Sequence, residues 1–436
     1  MKPKGLLVAI AVLAVLGGLI WWSNKKQATA SKTSTDTTIK LISIPDDQFQ
    51  EIRIKKLTGE LQDLRRADGK WQLTQPTQLS ADPDTVGSMV STLSSLNADK
   101  LIEDKAADLQ PYGLNIPTLD ITIVKKDGKS DEVLIGDDTP TGSGAYAKLA
   151  ADARVFTVAS FTKTSLDKTP TDLRDKRLLT FDSDKLTRVE LAAKGTPIEF
   201  GKNNRNEWQI LKPRPLRADG SQVDTLITKL KDAKMDLNGA QLDVAKNFAA
   251  AARVATVVVA AAGGNQTLEV RKDKDKNCYA KSSAVEGTYK VASDLADALD
   301  KNLDDFRNKK LFDFGFSDPN KLELKTVTYA KSGDKWLAGS RTMDNTSVQN
   351  LIDKLRDLSA AKFPEKGGVE QVFEAKVTSN DGKRVEKVSI AKQGTQYFAQ
   401  RENEPSIYEL DSKAVDDLQK AAADVKEPPP PAAKKK

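Results

Sequence analysis

One block of this sequence occurs twice without a gap. Trp71, Pro76, Leu79, Ala81, Asp82 and Val86 recur as Trp208, Pro213, Leu216, Ala218, Asp219 and Val223, each pair 137 residues apart. A repeat of this length constrains the fold more than any other feature. Each copy is one structural unit, and all copies must adopt the same architecture. A third tryptophan, Trp336, opens a further copy 128 residues after Trp208.

The segment after each block has one apolar face. Val86, Met89, Val90 and Leu93 follow the spacing i, i+3, i+4, i+7, as do Val223, Leu226, Ile227 and Leu230, and Val348, Leu351, Ile352 and Leu355. That spacing predicts an amphipathic helix in each copy. Capping residues precede each one: Asp82 before Pro83, Asp219 or Ser221, and Asp344 or Thr346.

A hairpin follows. DITIVKKDGKSDEVLIG carries Asp127-Gly128 between two β-rich runs, and Asp381-Gly382 and Gly263-Gly264 stand at the matching turns. Tyr146-Ala147-Lys148 matches Tyr279-Ala280-Lys281, and Phe398-Ala399-Gln400 is the third version. A further strand and a short helix come next. Leu173 to Leu179 and Phe306 to Phe312 then share a basic closing segment, which the third copy lacks.

Each copy therefore reads β-β-α-β-β-β-β-α. Short turns between adjacent strands imply a mainly antiparallel sheet with one or two helices on it. The expected fold class is α+β, with three tandem modules at 41–180, 181–314 and 315–425, behind one N-terminal transmembrane helix.

That helix is expected in residues 1–26. Gly5 to Trp22 carries no charge, and eighteen helical residues span about 27 Å, close to the hydrocarbon core. Trp21 and Trp22 suit the interface, and Lys25 and Lys26 follow. Ala28-Thr29-Ala30 resembles a signal cleavage site, but the apolar run exceeds the usual signal core, which favours an anchor. The short tail ahead of the span suits N-inside, which places the modules in the periplasm or outside the cell as part of a single-pass inner-membrane protein. Residues 27–40 read as a flexible linker, and the Pro/Lys-rich 426–436 as a solvated tail.

Charge and composition exclude several functions. The net charge is +6, yet its excess sits at the two ends, in Lys2, Lys4, Lys25, Lys26, Lys32, Lys40, Lys426, Lys434, Lys435 and Lys436. The part between is close to neutral, so no nucleic-acid footprint is expected. The chain has no histidine and one cysteine, Cys278. That excludes a Ser-His or Cys-His nucleophile pair within it and removes the usual zinc ligands.

The remaining motifs each have a plain explanation. Gly142-Ser143-Gly144 lacks the GK[ST] of a phosphate loop and reads as a turn. Asp137-Asp138 supplies too few oxygens for a calcium site. Ser165 with Lys168, and Ser332 with Lys335, fit a serine–lysine spacing but lack its companion motifs. Trp71, Trp208 and Trp336 stand at equivalent places, which points to packing rather than to a ligand. Arg174 to Arg177 and Arg307 to Lys310 read as solvated or inter-module faces, and Cys278 as a small buried side chain. No catalytic, cofactor-binding or metal-binding residue is assigned.

Tyr112-Gly113-Leu114, Pro117, the Asp-Gly-Lys hairpin, Ile135-Gly136, Thr139-Pro140, Tyr146 and Leu173-Arg174-Asp175-Lys176 resemble an uncharacterised bacterial family. Its members are single-pass membrane proteins with tandem domains of unknown function, often encoded beside gliding-motility-type ABC transporters. The likeness is clearest in the first copy. In the second, Asn247-Phe248-Ala249 replaces Tyr112-Gly113-Leu114. The resemblance implies a non-enzymatic scaffold or accessory subunit of a cell-envelope complex, with the cytoplasmic membrane and an ABC permease as partners. Binding of peptidoglycan or anionic glycan is the alternative.

Overall fold

A computed structural model of the chain describes residues 39–238, 242–317 and 319–429. Three large antiparallel sheets dominate it, of nine, eight and nine strands, beside one two-stranded sheet. In spatial order the first runs Leu79–Ser80, Lys70–Gln75, Leu61–Ala67, Phe49–Lys56, Leu119–Lys125, Ser130–Asp138, Gly144–Leu149, Val155–Ala159 and Lys100–Glu103. The second repeats this order from Leu216–Arg217 to Thr288–Val291, and the third from Arg341–Met343 to Ala360–Lys362. The chain divides into two compact units, one ending at Lys176 and one starting at Arg177. The latter holds the second and third sheets.

Two expectations need correction. The expected class is α+β, each module a mainly antiparallel sheet with one or two helices, behind a transmembrane helix; the described residues are mostly antiparallel sheet. The longest helix among the described residues, Asn345–Asp357, has 13 residues. No described helix is long and apolar enough to cross a membrane. The α+β class with a transmembrane helix, and the single-pass inner-membrane placement built on it, are therefore not carried forward. Gly5 to Trp22 lies outside the described residues. The physical reason is where the apolar residues go: along strands they alternate, so that Ile52, Ile54, Ile121, Ile123, Val133 and Ile135 all bury on one face of the first sheet.

Each large sheet has its own apolar core, closed by helices on that face. Pro83–Ser94 packs beside Ser160–Leu166, Gly220–Lys231 beside Ser293–Leu299, and Asn345–Asp357 beside Ser412–Ala423. The first of each pair buries its four-residue stripe, for example Val348, Leu351, Ile352 and Leu355. At the central hairpin of the first sheet Gly128 takes φ 82°, a left-handed conformation that costs glycine nothing.

The aspartate at each helix start does two jobs. Asp82 Oδ1 accepts the Thr85 N–H at 2.8 Å, while its own N–H donates to Leu173 O at 2.8 Å. Asp219 caps its helix through Ser221 and Gln222 and donates to Phe306 O; Asp344 caps through Ser347 and donates to Lys426 O. The third copy is thus closed after all, by Val425 to Glu427. Asp82→Ala is expected to cost about 1 kcal/mol, read as a shift in urea midpoint at unchanged slope.

Two residues past the acceptor, the chain again meets the edge strand. Asp175 N–H donates to Ser80 O, and Asn308 N–H to Arg217 O. Pro428 occupies that place in the third copy. Proline has no N–H, so this rung of the ladder cannot form there.

Candidate functional site

The segment from Arg307 to Asp313 connects the second sheet to the third and pairs with both. Arg307 bridges Ala218 and Asn308 N–H donates to Arg217 O on the second side. Leu311 N–H donates to Leu358 O, and Lys309 O accepts from Ala360 N–H, on the third. These backbone bonds aim the side chains of the segment at the face between the two modules.

Asp313 is the centre of that face. Its backbone N–H donates to both oxygens of Glu386, at 2.9 and 3.1 Å. Its carboxylate accepts from Asn308 Nδ2 at 2.8 Å and from Arg217 Nη1. Arg217 also pairs with Glu404 at 2.9 Å and donates to Tyr408 Oη at 3.1 Å. The Tyr408 hydroxyl in turn donates to Glu404 Oε2 at 2.7 Å. Arg401 reaches Glu386 at 3.1 Å and Glu404 at 2.8 Å, and donates to Leu311 O. Arg307 is buried, lies 3.5 Å over the Phe363 ring and donates to Ser406 Oγ at 3.1 Å. Arg384 and Glu207 form a further ion pair across the same face.

Burial alone would raise the Asp313 carboxyl, but Arg217 and Arg401, with the bonds from Arg217 and Asn308, hold it below its ordinary value. Burial opposes the charge on Arg217, yet Asp313, Tyr408 and Glu404 keep its pKa above the ordinary one. Burial pushes the Tyr408 hydroxyl up, although Arg217 opposes this. A carboxyl depressed by folding adds stability above its unfolded pKa and loses it as pH falls through the folded one. Denaturant stability is therefore expected to fall below about pH 4, and Asp313→Asn should flatten that slope. Urea titrations between pH 7 and pH 3 check this.

The second sheet holds a neutral version of the same clamp. Thr180 N–H donates to Gln266 Oε1 at 2.8 Å, where Asp313 donates to Glu386. Ser282 Oγ donates to Leu178 O, where Arg401 donates to Leu311 O. The geometry is common to both, and the third copy builds it from charge.

The sequence motifs do not gather there, apart from the basic linker. Asp138 pairs with Lys163 at 2.8 Å. Among the described residues no group of three or more His, Cys, Asp or Glu could hold a metal ion. Ser165 Oγ donates to Thr162 O, and Lys168 Nζ to Thr164 O. Gly142 lies in a turn at φ 68°. Trp208 and Trp336 are buried in their cores, with Trp208 Nε1 bonded to Asp224 at 2.8 Å, and Trp71 packs partly buried against the first core. Cys278 is buried, which pushes its thiol up. In the basic run Arg307 is buried at the joint and Lys309 and Lys310 are exposed, so the run is an inter-module crossing with a solvated edge. Sequence reasoning missed Arg217, Arg401, Glu386 and Glu404, because residues that pair 96 positions apart leave no local pattern.

A model of a domain of unknown function, DUF4340, matches residues 71–237 and 208–381. The chain belongs to the DUF4340 family. Both DUF4340 matches begin at the repeated tryptophan, Trp71 and Trp208, and the tandem repeat is thereby shown. Each DUF4340 match also runs across a linker, the second one across Arg307 to Asp313. No curated protein and no solved structure matches the chain.

Proposed function

We propose that this DUF4340 protein is a non-enzymatic scaffold. It holds tandem β modules in fixed order for a protein partner and serves as an accessory subunit of a cell-envelope complex. The observation that carries this reading is the joint. The charged side chains there, most of them half-buried, are spent on one another and on the linker backbone, which supports a joint that fixes two modules. Surface openings support the same reading. The two near the module loops, about 480 and 450 Å³, are lined by Lys281 to Thr288 and by Lys387, Ser389 and Gln400 to Pro405, and both are shallow clefts. The family resemblance suggests an ABC-transporter permease as the partner.

Crosslinking of the tagged full-length chain in native cells, followed by mass spectrometry, tests the proposal. Recovery of a permease together with its ATPase, lost on Arg217→Glu, supports it. Retention on purified cell wall with no permease recovered overturns it in favour of polymer binding.

A further inference from the structure

We infer that the joint between the second and third modules is an ionic latch, able to open while both modules stay folded. Among the described residues the two modules have separate apolar cores. Phe306 belongs to one cluster and Leu311, five residues later, to the other. What crosses between them is charged or polar: Arg217 to Asp313, Arg217 to Glu404, Arg384 to Glu207, and Arg307 to Ser406. Interfaces of this polar kind between domains are the ones that separate without unfolding.

The hinge is also defined. Asn308 N–H is bonded to the second module through Arg217 O, and Leu311 N–H to the third through Leu358 O. Lys309 O also accepts from Ala360 N–H of the third module, so opening turns the backbone between Asn308 N–H and Lys309 O and leaves both ladders intact. Arg217→Glu sets a carboxylate of the second module against Asp313 and Glu404 of the third, and that repulsion favours the open form. The latch deepens the scaffold reading by naming where the array changes shape, but its test needs no partner.

The test uses the full-length chain in a Cys278→Ala background, since Ala145 stands at the equivalent place in the first sheet. Spin labels go on exposed Thr187→Cys and Lys366→Cys, and the distance between them is read by pulsed electron resonance. One narrow distance is expected for the otherwise unchanged chain. Arg217→Glu should broaden it toward longer values with far-ultraviolet circular dichroism unchanged, and adding Asp313→Arg should narrow it again. A distribution as narrow in Arg217→Glu as in its parent overturns the latch, as does a broad one in the parent. If Arg217→Glu loses its circular dichroism, the milder pair Arg384→Glu and Glu207→Arg decides by the same broadening and rescue.

Discussion

Replacing Arg401 with methionine is expected to destabilise the chain by about 3–5 kcal/mol, the range for removing one partner of a buried ion cluster. The methionine fills most of the space but leaves Glu386, which is 5% exposed, without its guanidinium. Asp313 and Glu404 lose a neighbour as well, and Leu311 O loses its donor. Urea unfolding of the full-length protein would show the loss as a lower midpoint. The second module suggests the remedy. Glu386→Gln combined with Arg401→Ser recreates the pair Gln266 and Ser282, which holds its linker without charge. That double variant should recover much of what Arg401→Met loses. A loss below about 1 kcal/mol for Arg401→Met would place the cluster among pairs that add little.

Phe306→Ala is expected to cost a similar 3–5 kcal/mol, for a different reason. Phe306 is 2% exposed and packs edge-to-face on Phe200, with ring centres 4.9 Å apart. Truncation opens a cavity in the second core directly before the linker. Phe306 O also accepts the N–H of Asp219, so the closing contact sits on the disturbed residue. Leu173 fills the same place in the first module, where its carbonyl accepts from Asp82. Phe306→Leu should therefore cost clearly less than Phe306→Ala under the same denaturant series.

Periodicity made the helices legible. An i, i+3, i+4, i+7 stripe behind an aspartate leaves little choice, and the structure selects Asp219 and Asp344 over Ser221 and Thr346 as caps. The Asp-Gly and Gly-Gly turns marked the central hairpins for the same local reason. Strand pairing between distant segments was less legible. Lys100–Glu103 has no alternating pattern, and it joins the sheet only because Val155–Ala159 arrives 50 or so residues later. The closure of the third module by Val425 to Glu427 left no residue signature, because the bond from Asp344 goes to a backbone carbonyl. The joint was hidden twice over. Of its arginines only Arg307 sits in the basic run, which reads as a solvated or inter-module face, and Arg217 meets its partner Asp313 96 positions away.

The central claim is that the linker is paired into both modules, its first residues into the second and its last into the third. Hydrogen exchange resolved to single amides tests it most directly. The account predicts that the N–H groups of Asn308, Leu311 and Asp313, bonded to Arg217 O, Leu358 O and Glu386, exchange as slowly as those of the strand Arg384–Gln393. Fast exchange at those three amides while that strand stays protected would contradict it.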